Sequence, residues 1–147
     1  MTLIRLHDLR KNDATDVIAE HIAKRLLEAG VDIRYYSAYS TDSRYMKLDD
    51  GVLNTVRISN HPGKQRLCYR YEIGPHIKKR KTVIKNGYPS HLYPEADIDI
   101  IIGDILAERM RRINVWGESR YASFRKKNIR DNANAKGFWA KAVPLKL

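Results

Sequence analysis

At Gly30 the spacing of apolar residues in this chain changes from three-and-four to two, and that switch orders what it can build. Before it, Val17, Ile18, His21, Ile22, Leu26 and Ala29 fall on one face of a helix over residues 13–30. Asn12 or Asp13 is placed to cap that helix. Asp13, Asp16 and Glu20 suit its positive end, and Gly30 suits its stop. His21 lies on the apolar stripe, as a packed histidine would. Past Gly30, Val31, Ile33, Tyr35, Ser37 and Tyr39 alternate with Asp32, Arg34, Tyr36, Ala38 and Ser40, the pattern of a strand.

Residues 44–48 and 52–59 read as two further strands around Asp49-Asp50-Gly51, a strong short-range hairpin signal. Over residues 66–73, Leu67, Tyr69, Tyr71 and Ile73 share one face, and Arg66, Cys68, Arg70 and Glu72 share the other. Pro62-Gly63 supplies the turn before them, and residues 82–84 form a short edge strand. Residues 88–94 read as a connector. A second helix follows over residues 94–115, with Pro94 in its first turn and a stripe of Ile98, Ile101, Ile102, Ile105, Leu106, Met110 and Ile113. The expected fold class is therefore α+β: helix, antiparallel β-meander of four to five strands, helix, and a basic C-terminal extension, with both helices on one sheet face. Residues 1–117 form a single domain in this reading, and residues 118–147 an extension that is a helix or an arm.

The charge is unevenly placed. Of a net +11, residues 57–88 carry +8 and residues 118–147 carry +6, while residues 1–56 carry −1 and residues 89–117 carry −2. Segregation of this kind suits a surface for polyanions, whereas solubility alone does not require it. No apolar run approaches the ~18 residues of a membrane span, so no membrane partner is expected. Cys68 is the single cysteine, which excludes an internal disulfide and a cysteine-based zinc site. The early charges of the N-terminus do not suit a secretory signal. Together these point to the cytoplasm, that of a host cell if the protein is phage-encoded.

Ser59-Asn60-His61 invites a catalytic reading, yet Ser–His chemistry needs a third group to orient the base. No acid occurs between Asp50 and Glu72, so a strand end and turn fit this stretch better. A metal-dependent nuclease would need converging carboxylates. Glu72 stands alone in the basic segment, Asp97, Asp99 and Asp104 suit a helix, and the five histidines lack ligand spacing. No catalytic residue, metal or cofactor is expected, and the protein is read as non-enzymatic.

Binding fits the residues better. Arg57, Arg66 and Arg70 project from strands, and Lys78, Lys79, Arg80, Lys81 and Lys85 follow them. With these arginines opposite the helices, an open sheet would present cations to phosphates. Arg120, Arg125, Lys126, Lys127 and Arg130 form a second set in the extension. Tyr36, flanked on its face by Arg34 and Ala38, is the stacking candidate; Phe138 and Trp139 are candidate anchors.

The pair SRYMKL and VRISNH, covering Ser43, Arg44, Tyr45, Arg57, Ser59, Asn60 and His61, resembles a short motif of small phage- and prophage-encoded proteins, including some basic anti-CRISPR inhibitors. The resemblance spans only residues 37–61. It implies a mobile-element accessory protein acting on nucleic acid or on a nucleic-acid enzyme. The leading expectation is a phage-type nucleic-acid-binding protein with DNA or RNA as partner. The alternative is an inhibitor of a host nuclease or ribonucleoprotein. A homodimer stays open.

Overall fold

The computed structural model describes residues 3–62 and 69–147. Its elements are β1 (Ile4–Arg5), α1 (Ala14–Glu28), β2 (Ile33–Ala38), β3 (Ser43–Leu48), β4 (Thr55–Ser59), β5 (Tyr71–Gly74), β6 (Lys81–Lys85), β7 (Tyr88–Pro94), α2 (Ile98–Trp116), α3 (Glu118–Asp131), α4 (Phe138–Lys141) and β8 (Val143–Lys146). The class is α+β, with an eight-stranded sheet in the order β1-β8-β2-β3-β4-β5-β7-β6. Helices α1 and α2 share one hydrophobic core on one sheet face. Ile18, Ile22 and Leu26 of α1 and Ile101, Ile102 and Ile105 of α2 close over Ile33, Tyr35, Met46, Leu48, Val56, Ile58, Tyr71 and Ile73. Burying such a side chain contributes about 1.5–3 kcal/mol, which makes this face the main source of stability.

The helix stripes are narrower than their spacing suggests. Asp13 caps α1 by accepting from the Asp16 amide at 2.8 Å. Ala19 and Ala23, rather than Val17 and His21, complete its buried face; Val17 is exposed, and His21 reaches Asp99 at 3.4 Å. Small residues let the helix sit close to the sheet, and the bulkier neighbours turn out. Met110 is exposed as well, because the buried residues of α2 end at Ile105.

Strands β2, β3 and β4 form the expected antiparallel meander, in register Tyr36↔Tyr45 and Tyr45↔Arg57. Asp49, Asp50 and Gly51 all take positive φ (46°, 56° and 88°), and the turn runs on so that β4 begins only at Thr55. The sheet then departs from a meander. β5 lies parallel to β4, and β7 parallel to β5, with β6 hairpinned outside β7. β4 and β5 are therefore not the two arms of a hairpin, and of the Pro62-Gly63 turn expected between them Gly63 lies outside the described residues. Part of the strand expected over 66–73, with Arg66, lies outside the described residues.

Residues 88–94, expected as a connector, are strand β7. Two prolines hid it, and both sit where they remove no ladder bond. Pro89 pairs with Ile84 beyond the point where β5 begins to pair with β7 at Tyr71↔His91, and Pro94 ends the strand. The segment 118–147 is also built into the fold: β8 lies between β1 and β2, with Leu145 buried opposite Ile33.

One close approach allows only glycine. A Cβ on Gly74 would stand 1.7 Å from the Ser59 carbonyl oxygen, an atom of the neighbouring strand β4 that cannot move alone. Gly74→Ala is expected to lower the unfolding free energy by about 3 kcal/mol or to abolish folding, as overpacking does. Urea denaturation followed by circular dichroism checks this; an unchanged midpoint would contradict it.

Candidate nucleic-acid interface

With β4, β5 and β7 parallel, their carboxyl ends lie at one end of the sheet, here the upper end, and β3 starts there. Ser43 opens β3 opposite Ser59, which closes β4. Their hydroxyls meet at 3.0 Å, and Ser43 Oγ lies 3.2 Å from His61 Nε2. His61 Nδ1 is 2.8 Å from the Pro62 carbonyl. A carbonyl only accepts, so Nδ1 carries a proton. Arg57 donates to Ser59 Oγ at 3.0 Å and to the His61 carbonyl at 3.1 Å, and it pairs with Glu72 at 3.4 Å.

This has the contacts of a nucleophile and its base, but not their access. Ser43 is 0% exposed, and the nearby acid, Glu72, faces Arg57 rather than His61. The cluster holds the strand ends together. Arg57 is correspondingly 2% exposed and is not a contact for nucleic acid, although it does lie opposite the helices as its alternation indicates. Arg44, 1% exposed on the helix face, is consumed in the same way by Asp16 at 2.9 Å and by Asp13 and Asp42 at 3.4 and 3.5 Å.

Arg70 is half-buried beside the core helix. It lines a cleft of about 290 Å³ with Tyr71, His91, Asp104, Glu108 and Arg111, so it does not join an open basic face. Arg111 and Arg112 hold the Glu108 carboxyl down to about 2. By contrast, Lys78, Lys79, Arg80 and Lys81 all stand exposed on the loop that follows β5 and at the start of β6. None of the four pairs with a carboxylate among the described residues. The side chain of Lys85 lies outside the described set.

The second basic set divides by helix face. Asp49, 0% exposed at the lower turn, accepts from the Asp32 amide at 2.9 Å, Arg109 at 2.7 Å and the Tyr121 hydroxyl at 2.5 Å. Arg125 reaches Asp50 at 2.8 Å and also pairs with Asp32. It is a clamp between α3 and the sheet, not a free contact. Arg120, Lys126, Lys127 and Arg130 point outward, with Lys127 tied to Asp131 at 2.7 Å. The upper loop and α3 thus sit at opposite ends of the sheet, and the structure does not merge them into one patch.

On the face opposite α1 and α2, Tyr36, Tyr45 and Tyr69 form a row, with ring centroids 6.3 and 5.3 Å apart. Tyr36 is half-buried in it, and Tyr69 is buried. Trp139 lies 4.7 Å from Lys47 Nζ and lines a cleft of about 310 Å³ with Arg34, Lys47, Asp50, Asn128 and Asn132. Burial, then the Arg34 charge, lowers the Lys47 pKa. The Phe138 side chain lies outside the described set. Arg34 and Lys47 escaped sequence reasoning as a pair because only the register Arg34↔Lys47 brings them together.

Among the described residues no three histidine, cysteine or carboxylate side chains form a metal-binding group, and no helix is long and apolar enough to cross a membrane. Comparison with protein-family models, curated proteins and solved structures yields no match.

Two expectations follow from the upper cluster. Arg57→Gln removes one side of the buried Arg57–Glu72 pair and should cost about 3–5 kcal/mol, read as a drop in the urea midpoint. His76 Nδ1 donates to the Ser59 carbonyl at 3.2 Å, yet burial dominates and lowers its pKa below the ordinary 6.5. The folded state then binds fewer protons than the unfolded state, so stability must fall as pH drops through 6.5 toward the lowered value. Urea midpoints between neutral and mildly acidic pH should decline, and His76→Asn should flatten that decline.

Proposed function

We propose that this protein is a non-enzymatic, phage- or prophage-type nucleic-acid-binding protein that grips phosphates with Lys78, Lys79, Arg80 and Lys81. The outward cations of α3, Arg120, Lys126 and Arg130, add a second contact. One observation carries the reading: the four consecutive cations of the upper loop are exposed and unneutralised, while Arg44, Arg57 and Arg125 are spent on internal carboxylates. Cations that hold no internal partner keep their full charge for phosphates.

Such contacts read no base, so the affinity they supply is sequence-independent and salt-sensitive. The two patches lie at opposite ends of the sheet, and a long strand that contacts both must run along the molecule. The row of Tyr36, Tyr45 and Tyr69 and the Trp139 cleft lie on the sheet face between those ends. The phage setting rests on the resemblance carried by residues 37–61.

Fluorescence anisotropy with labelled single- and double-stranded DNA and RNA over a salt series tests the proposal. Each lost phosphate contact on duplex DNA should flatten the slope of log K against log salt by about 0.9. Replacing Lys78, Lys79, Arg80 and Lys81 with Gln should therefore change the slope by about 3 to 4. No binding at physiological salt, or a slope that the fourfold variant leaves unchanged, would sink the idea.

A further inference from the structure

Strand β6 is the outer edge of the sheet, and its far side pairs with no strand among the described residues. The hairpin geometry identifies which of its backbone groups are free. Asn86 and Gly87 take φ of 52° and 83°, the two left-handed positions of a type I′ turn. The pair that flanks such a turn, Lys85↔Tyr88, exchanges hydrogen bonds, and bonded pairs then alternate along the ladder. Lys81, Val83 and Lys85 are accordingly bonded to β7, while Thr82 and Ile84 direct their N–H and C=O groups outward. The missing N–H of Pro89, opposite Ile84, agrees with that assignment.

Side chains along this edge are as open as its backbone. Ile84 is 66% exposed and Tyr88 is 68% exposed at the hairpin tip. Lys81 is exposed, with Lys78, Lys79 and Arg80 continuing from the same end. We propose that β6 accepts an extended acidic peptide as an added strand, with main-chain bonds to Thr82 and Ile84. Its carboxylates would lie toward Lys81 and the cationic loop, and its apolar residues over Ile84. This is the strand-addition mode, in which the backbone supplies affinity and alternate side chains supply selectivity.

Charge decides the occupant. A second copy pairing antiparallel about Val83 would set lysine positions 81 and 85 opposite each other, and like charges directly opposed across strands are destabilising. Lysine on an edge strand commonly prevents such self-association. An acidic strand turns the same repulsion into attraction. Nucleic acid has no peptide ladder to match two outward amides and carbonyls, so it would engage the lysines without ordering Thr82 or Ile84. The inference is independent of the nucleic-acid reading, although the two would compete for Lys81.

The test uses the full chain with two capped synthetic peptides, one alternating Glu and Val and one alternating Lys and Val. Anisotropy measures binding, and amide hydrogen exchange reads the edge. The acidic peptide alone should bind, and it should slow exchange at Thr82 and Ile84. Thr82→Pro removes one outward N–H and keeps the backbone ladder to β7, giving up there only the Thr82 Oγ1–His91 Nδ1 contact at 2.9 Å. It should weaken peptide binding about tenfold, the scale of a lost hydrogen bond, and leave nucleic-acid binding unchanged. If that variant does not fold, Ile84→Glu at an exposed position should weaken binding by replacing the apolar contact under the peptide's valines with a charge. Four results would overturn the proposal: equal binding of both peptides, no slowing at the two amides, self-association that slows them, or nucleic acid that slows them. A flat salt response of the lysine loop would instead count against the nucleic-acid reading alone.

Discussion

The Asp49 carboxylate is the joint on which the lower half of the molecule depends. It is fully buried, and its partners come from three separate parts of the chain: the Asp32 amide at the start of β2, Arg109 on α2 and Tyr121 on α3. A carboxylate removed from water costs several kcal/mol unless its lone pairs are taken up, and here each oxygen has a donor. The bond to Asp49 raises the Tyr121 pKa further, after burial, so that ring remains a neutral donor. The Asp32 amide can reach Asp49 within the β2–β3 hairpin, but Asp49 Oδ2 has no donor until α2 and α3 bring Arg109 and Tyr121 to it. The turn residue thereby places the helices as well as reversing the chain.

Charge is partitioned by chemistry as well as by position. The internal clamps are arginines: Arg44 with Asp16, Arg57 with Glu72, Arg109 with Asp49 and Arg125 with Asp50. A planar guanidinium can serve several acceptors at once and is more weakly hydrated than an ammonium, so it tolerates burial. Lysines instead dominate the exposed loop. The net charge of a segment consequently overstates what it offers to a partner, because part of it is cancelled inside the fold.

The local features of the fold were legible, and the non-local ones were not. The change of spacing at Gly30, the Asp49-Asp50-Gly51 turn and the isoleucine stripe of α2 each follow from residues close in sequence. Alternation also put Arg57 on the correct sheet face, but it carries no information on what covers that face. The one hint was Glu72, the sole acid among residues 57–88, which reads in hindsight as a partner for a buried cation. The parallel pairing of β4, β5 and β7 left no trace, because a strand alternates identically whichever way its neighbour runs. Strand β8 was hidden for a different reason: Val143-Pro144-Leu145-Lys146 is short, and its place is set by β1 and β2.

The position of β8 also governs the order of assembly. Among the described residues strand β1 pairs only with β8, so residues near position 4 have no strand to pair with until residues near position 145 have been made and docked. During synthesis β1 must wait for β8, while the meander and α1 can already associate. Contacts of such large sequence separation slow folding through the entropy of closing the loop between them. Ile4 and Arg5 thus take their strand pairing from Leu145 and Lys146, and any event that frees β8 ends that pairing in the same step, leaving Ile4 only its packing on the core.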